Sequence, residues 1–331
     1  MRRDRKVVAI GGGTGLSTLV RGLKHYPLDI TAIVTVGDDG GSSGRLRDEF
    51  HMLPPGDIRN VILALSEVEP LMDKILQYRF DTGYGLEGHS LGNLMLTAAT
   101  HICEGSFVKA IDVMSQLLNA QGKVLPVTET LMTLAAEFED GTIVKGESKI
   151  PLHQQPIKRL FLLEEGIKPA PGVVEAIESA DVIVLGPGSL YTSIIPNLLI
   201  PDVREAIVRS QVPVVYICNV MTQPGETKGY DAMKHLKAIE AYLGKASIDT
   251  IVVNNEPIDE DYLERYLEDG SEEVRFDRKK LRNYGTNVLA GDIVDYNRDY
   301  IRHDSDAIAG LVMQRVLRIK KPRSFQQLEL K

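Results

Sequence analysis

Several short stretches of this 331-residue chain carry residue types able to hold a charged ligand, and the first is Gly11-Gly12-Gly13-Thr14-Gly15. It follows the apolar run Lys6–Ile10 and precedes an amphipathic segment that starts near Leu16. Glycines let the backbone turn tightly and approach an anion, whose charge meets free N–H groups at the helix start. The dinucleotide pattern GxGxxG fits Gly11 and Gly13 but requires glycine where Leu16 stands. A nicotinamide-coenzyme fingerprint is therefore not met, and a phosphate loop of another kind is expected. The second stretch, Gly37-Asp38-Asp39-Gly40-Gly41-Ser42-Ser43-Gly44-Arg45, follows the run Ile30–Val36. A carboxylate at this distance from a glycine loop commonly accepts hydrogen bonds from a ribose. Asp38 and Asp39 together could instead hold Mg²⁺, which takes a few carboxylates and keeps several waters. Ser42 and Ser43 supply donors, and Arg45 a fork for phosphate or carboxylate. The alternative is a solvated turn, since turns are rich in Asp and Gly.

Later loops repeat the theme. In Pro54-Pro55-Gly56-Asp57-Ile58-Arg59-Asn60 the carboxylate of Asp57 reads as a helix N-cap, and Arg59 faces either the site or water. Gly88-His89-Ser90-Leu91-Gly92 matches GxSxG, but that nucleophile elbow needs a strand directly before it. Here the turn-rich Asp81–Glu87 precedes it, so Ser90 or Gly88 reads as the opening of a helix, with His89 and Asn93 still free to touch ligand. Gly186-Pro187-Gly188-Ser189 and the following Leu190-Tyr191-Thr192-Ser193 form a second Gly-rich, hydroxyl-bearing turn after the run Asp181–Leu185. Asn219 through Thr227, which includes Thr222, offers uncharged hydrogen-bonding groups suited to a sugar or a base. No catalytic set assembles. The seven histidines, among them His51, His153 and His303, lack spacings such as HExxH, and no Walker loop GxxxxGK[ST] occurs. Phosphates would be held by backbone amides and by Arg.

Short Val/Ile-rich runs alternating with amphipathic segments position these loops. The strands expected are Lys6–Ile10, Ile30–Val36, Asp181–Leu185, Val212–Cys218 and Thr250–Val253. The helices expected are Leu16–His25, Ile58–Glu67, Ser90–Glu104, Val108–Leu118, Val173–Ser179, Tyr230–Leu243 and Ser305–Leu317. Near-continuous apolar strands between helices mean a mostly parallel sheet covered on both faces. In such open α/β sheets the ligand lies beyond the carboxyl ends of the strands, where these loops fall. From Lys123 to Leu163 the pattern turns strand-like around a hairpin turn at Glu139-Asp140-Gly141-Thr142, with arms Leu131–Phe138 and Thr142–Ile150 and a further strand Ile157–Leu163. This reads as a small antiparallel β insertion, residues 123–163, within a single ligand-binding domain of residues 1–318. A polar tail, 319–331, follows.

The composition is ordinary for a globular protein, 43% hydrophobic and 25% charged. The net charge of −8 argues against general nucleic-acid binding, and the basic start Arg2, Arg3, Arg5 and Lys6 reads as solvated. No apolar run approaches the roughly 18 residues of a membrane span, and no signal-peptide pattern is present. Cys103 and Cys218 are far apart, without metal-ligand spacing. A cytoplasmic location is expected.

Taken in order, GGGTG at 11–15, DDGGSSGRLR at 38–47, GHSLGN at 88–93, GPGSLYTS at 186–193 and CNVMTQPGET at 218–227 resemble the CofD/YvcK family, over about residues 5 to 318. GPGSLYTS and NVMTQPGET place the resemblance nearer the YvcK-type branch, the bacterial gluconeogenesis factors. The resemblance implies a Rossmann-like, doubly wound fold with the site along these loops, and ligand or metal contact for Asp38 and Asp39. The CofD branch implies a Mg²⁺-dependent transfer of a phospho-acid from a nucleotide-activated donor. The YvcK-type branch implies a cytoplasmic UDP-sugar-binding factor needed for cell shape during gluconeogenic growth, without a certain cofactor. It also implies that Tyr266 and Arg302 contact the UDP-sugar. Expected partners are the nucleotide sugar, a protein of envelope or carbon metabolism, and a second copy in a homodimer.

Overall fold

A computed structural model describes residues 5–67, 70–297 and 300–318. The tail 319–331, with Arg2 and Arg3, lies outside the described residues.

Seven parallel strands build the main sheet. They are β1 (Arg5–Gly11), β2 (Leu28–Val34), β3 (Lys123–Pro126), β7 (Val182–Leu185), β8 (Val214–Ile217), β9 (Thr250–Asn254) and β10 (Asn287–Gly291). Their order is β10-β9-β8-β7-β1-β2-β3, with every neighbouring pair parallel. β7 and β8 are buried throughout and β1 is buried from Val7 to Gly11, which is why these strands read as unbroken apolar runs rather than as alternation. The chain winds outward from β1 to β3, returns, and winds the other way from β7. The reversal lies between β1 and β7, where a doubly wound sheet leaves its crevice. The fold is the α/β, Rossmann-like architecture expected.

Helices cover both faces. α1 (Gly13–Leu23) buries Leu16, Leu19, Val20 and Leu23, an i, i+3, i+4, i+7 stripe. It packs against α3 (Gly56–Leu65) and α13 (Ser305–Leu317). α2 (Gly41–Phe50), α4 (Pro70–Gln77), α5 (Leu91–Ile102) and α6 (Phe107–Leu117) complete the first half. In the second half, α7 (Val173–Glu178), α8 (Ile195–Leu198), α9 (Pro201–Ser210) and α10 (Ala232–Leu243) pack together. No helix among the described residues is long and apolar enough to cross a membrane.

The β insertion is a three-stranded antiparallel sheet of β4 (Leu134–Phe138), β5 (Ile143–Lys145) and β6 (Ile157–Leu162), in the order β5-β4-β6. It is shorter than expected at its start, because Lys123–Pro126 pairs with β2 as the edge of the main sheet. A second small unit follows β9. α11 (Glu260–Glu268), which has no buried residue, and α12 (Arg278–Tyr284) precede β10, and the hairpin β11 (Val294–Asn297) and β12 (Tyr300–His303) follows it.

The packing of α1 on α13 depends on Gly22. A Cβ there would meet the Ser305 carbonyl carbon at 2.7 Å and Ala309 Cβ at 2.8 Å, with backbone on one side that cannot swing away. Gly22→Ala should cost about 1–3 kcal/mol through overpacking. Denaturant unfolding checks this, and an unchanged midpoint would show that α13 does not pack as described.

Candidate functional site

The β1 loop and the β7 loop meet at the sheet reversal. A Cβ on Gly15 would run into the Pro187 carbonyl, with Gly188 Cα at 2.8 Å. Gly13 sits at φ +57 in the first turn of α1, a backbone conformation natural to glycine. Above this junction lies a cleft of about 500 Å³. Gly12, Gly13, Thr14 and Gly15 form one wall, and Gly188, Ser189 and Ser193 adjoin it. The first amides of a helix have no intrahelical acceptor, so α1 presents N–H groups at the cleft.

A neutral wall stands opposite. Asn219 Nδ2 donates to Gln223 Oε1 at 3.3 Å, and Gln223 Nε2 donates to Ser189 Oγ at 2.8 Å. Thr222 is buried and clasps residue 272: its N–H donates to the Glu272 carbonyl at 2.7 Å and its Oγ accepts from the Glu272 N–H at 2.8 Å. His303 lines the same wall. Burial holds its imidazole below the usual value, so neutral His303 donates from Nε2 to the Cys218 carbonyl at 3.1 Å. Its ring is held by this hydrogen bond as part of the wall.

Tyr266 and Arg302 reach the cleft from the second small unit. Tyr266 Oη accepts from the Ile301 N–H at 2.9 Å, fastening α11 to the hairpin that carries Arg302. The exposed Arg302 side chain makes no hydrogen bond or ion pair among the described residues.

Other expected residues lie outside the cleft lining. The Gly11 carbonyl accepts from the Thr35 N–H at 2.8 Å, and the Gly186 N–H donates to Ile10 at 2.9 Å, so both shape the loops from below. Ser42 and Ser43 are buried in α2, which sequence reading took for loop. Ser42 Oγ bonds His89 Nδ1 at 2.9 Å and accepts from Asn93 Nδ2 at 3.0 Å. Asn93 thus stabilises the packing of α2 on α5. Arg45 donates to the Glu87 carbonyl at 2.5 Å and Asp39 Oδ1 accepts from the Ser148 N–H at 2.9 Å. Ser90 is the N-cap of α5, accepting from the Asn93 N–H at 3.3 Å and from Arg59 Nη1 at 2.7 Å.

Asp38 and Asp39 therefore part company: Asp38 lines the cleft and Asp39 turns to the β insertion. The carboxylates that join Asp38 in the cleft are Asp57 and Glu147. Asp57 is not an N-cap. Pro55 holds that position, and Asp57 lies in the first turn of α3 with its carboxylate accepting from the Gly13 N–H. Burial pushes its carboxyl up to about 7 and the Asp38 charge adds to this, against the Gly13 bond and Arg59. Glu147, delivered by the insertion, is pushed up to about 8 by burial and then by the charges of Asp38, Asp57 and Glu226. Among the described residues no three His, Cys, Asp or Glu are grouped to hold a metal by themselves. Asp38 and Asp57 are a hard-oxygen pair beside the glycine loop, a donor set of the kind Mg²⁺ takes when ligand oxygens and water complete the shell.

A family model described as 2-phospho-L-lactate transferase CofD matches residues 7–294. The chain belongs to the CofD family. Within it, the chain is 52% identical over 313 residues to the gluconeogenesis factor of Bacillus subtilis, covering 95% of this chain and 98% of that one. It is 49% identical over 327 residues to the gluconeogenesis factor of Halalkalibacterium halodurans, covering 99% and 100%. A crystal structure of a Bacillus halodurans protein superposes with a TM-score of 0.91 at 51% identity, covering 94% of this chain and all of that one. This CofD-family chain thus has relatives of nearly its own length.

A carboxyl whose pKa is raised by folding stabilises the folded state most below its unfolded value, and that contribution is lost as pH rises through the folded value. For Asp57 the window runs from 3.8 to about 7, and for Glu147 from 4.5 to about 8. The ligand-free protein should lose stability from pH 5 to pH 8, and Asp57→Asn should flatten that loss by on the order of 2–4 kcal/mol. Parallel pH profiles of wild type and Asp57→Asn would refute the assignment.

Proposed function

We propose that this chain binds a nucleotide sugar of the UDP-sugar type in the cleft and acts as a cytoplasmic regulatory factor rather than through turnover. The observation that carries the reading is the pairing of an amide-bearing glycine loop with the neutral wall of Ser189, Asn219, Thr222 and Gln223. Helix-start amides suit a diphosphate, and neutral donors and acceptors suit sugar hydroxyls or a base edge. Tyr266 and Arg302 add an aromatic face and a cation at the rim. The name of the relatives, gluconeogenesis factor, supports a role in carbon metabolism, and the proposal extends it to coupling carbon supply to cell shape through a protein partner.

A second reading is favoured by one observation, the joint presence of Asp38 and Asp57 beside the phosphate loop in a chain matched by a transferase model. On that reading the chain moves a phospho-acid from a nucleotide-activated donor with Mg²⁺ held by these two carboxylates, the metal supplying charge neutralisation for the phosphates.

Titration calorimetry with UDP-glucose decides between them. Binding should persist in EDTA and leave the ligand intact. Gly13→Val, a β-branched residue at positive φ in the cleft wall, should weaken it by about a hundredfold or more while circular dichroism stays native. Asp38→Asn should weaken it by about ten- to a hundredfold, as for a lost hydrogen bond to a charged group, with a smaller effect in Asp39→Asn. Strict metal dependence with release of a nucleotide product would transfer the assignment to the transferase. A folded Gly13→Val of unchanged affinity would remove the phosphate role of the loop.

A further inference from the structure

A second groove opens off the cleft, and two of its cations, Arg21 and Arg302, form no ion pair among the described residues. It runs along the seam of α1 and α3, has a volume of about 640 Å³, and shares Thr14, Thr18 and Arg302 with the cleft. Thr14, Thr18 and Arg21 succeed one another at helical spacing on α1, so they line one face. Lys24 lies further along, and α3 contributes Asn60. Arg21 and Arg302 are exposed, and neither side chain makes a hydrogen bond or an ion pair among the described residues. This holds in a chain where Asp and Glu outnumber Lys and Arg by 46 to 38, so acidic partners are not scarce. Lys24 donates to the Ser66 carbonyl at 2.7 Å. Burial first, and then the charge of Arg21, lower its pKa, against the charges of Glu67 and Asp73. The groove's one carboxylate, Asp73, is engaged by Gln77 Nε2 at 2.9 Å to both oxygens.

We propose that this groove is a subsite for a carboxylate carried on the sugar of the bound nucleotide sugar. The inference rests on the nucleotide-sugar reading of the cleft and narrows it to acidic sugars. From Thr14 to Arg21 the α1 axis advances about 10 Å at 1.5 Å per residue, the reach of a hexose and its substituent from a phosphate held at the helix start. Arg21 offers a guanidinium fork that matches a carboxylate, and Arg302 stands where groove and cleft join. A neutral sugar would leave both cations as they are.

The test compares UDP-glucuronate with UDP-glucose on the full chain by titration calorimetry, in wild type and Arg21→Gln. Arg21 lines only the groove and is exposed on a helix, so the variant keeps both fold and cleft. Wild type should bind UDP-glucuronate about tenfold more tightly than UDP-glucose, as one charge-assisted hydrogen bond provides. The preference should shrink in high salt. Arg21→Gln should abolish it and leave UDP-glucose affinity unchanged. Equal affinities in wild type, or a preference that survives in Arg21→Gln, would overturn the subsite while UDP-glucose binding still upholds the cleft. Binding of neither sugar would overturn both.

Discussion

At the sheet reversal two polypeptide loops leave neighbouring parallel strands in opposite directions, and Gly15 against the Pro187 carbonyl sets how near they come. Any side chain at Gly15 would wedge them apart. Their closeness has two consequences. The amides of α1 lie beside Ser189 and Ser193, so helix-start N–H groups and side-chain hydroxyls share one cleft. The chain must also spend the residues between β2 and β3 on helices that pack on β2, β3 and α1, and these bring Asp57 under Gly13.

Asp57 makes that cleft electrostatically unusual. A helix start favours an anion, and the ligand-free protein places a carboxylate of its own there, bonded to the Gly13 N–H. A phosphate arriving at the same amides would meet this carboxylate and Asp38. Two physical remedies exist: a proton on Asp57, whose carboxyl already titrates at about 7, or a cation between the two groups. The first suits a binding protein and the second suits a phosphate-transferring enzyme.

The strand-following loops were legible because glycine runs after Val/Ile runs are local signals, and five of the seven main strands were read from them. α2 was not, since Gly41-Ser42-Ser43-Gly44 is a poor helix-forming start. Its helix is held by tertiary bonds from Ser42 to His89 and Asn93. The edge strands β3 and β10 escaped for a related reason: β3 adjoins the antiparallel insertion, and β10 is only partly buried. Asp57 carries a local signature of capping, whereas its partner Gly13 belongs to another strand's loop. Glu147 follows a short surface hairpin, and nothing in its neighbours foretells that the hairpin leans over the cleft. Tyr266 and Arg302 came from family resemblance alone, and the structure supplies the reason they occur together: Tyr266 fastens the hairpin on which Arg302 stands.

Most of the charges around the site are sorted by side. Asp38, Asp57 and Glu147 line the cleft, Arg21 and Lys24 line the groove with Asp73 as its one carboxylate, and Arg302 stands where the two join. At net charge −8 the protein as a whole repels an anionic ligand at long range, although salt screens this beyond about 8 Å at physiological ionic strength. Local attraction must then come from the groove side, where the guanidinium groups of Arg21 and Arg302 form no ion pair among the described residues. The carboxylates on the other side oppose a misplaced phosphate, since like charges in a partly buried site repel more strongly than in water. On the reading proposed above, this sorting orients the ligand. Its diphosphate is drawn to the α1 start, its neutral nucleoside or sugar hydroxyls face Asn219 and Gln223, and any further negative charge has only the groove to enter.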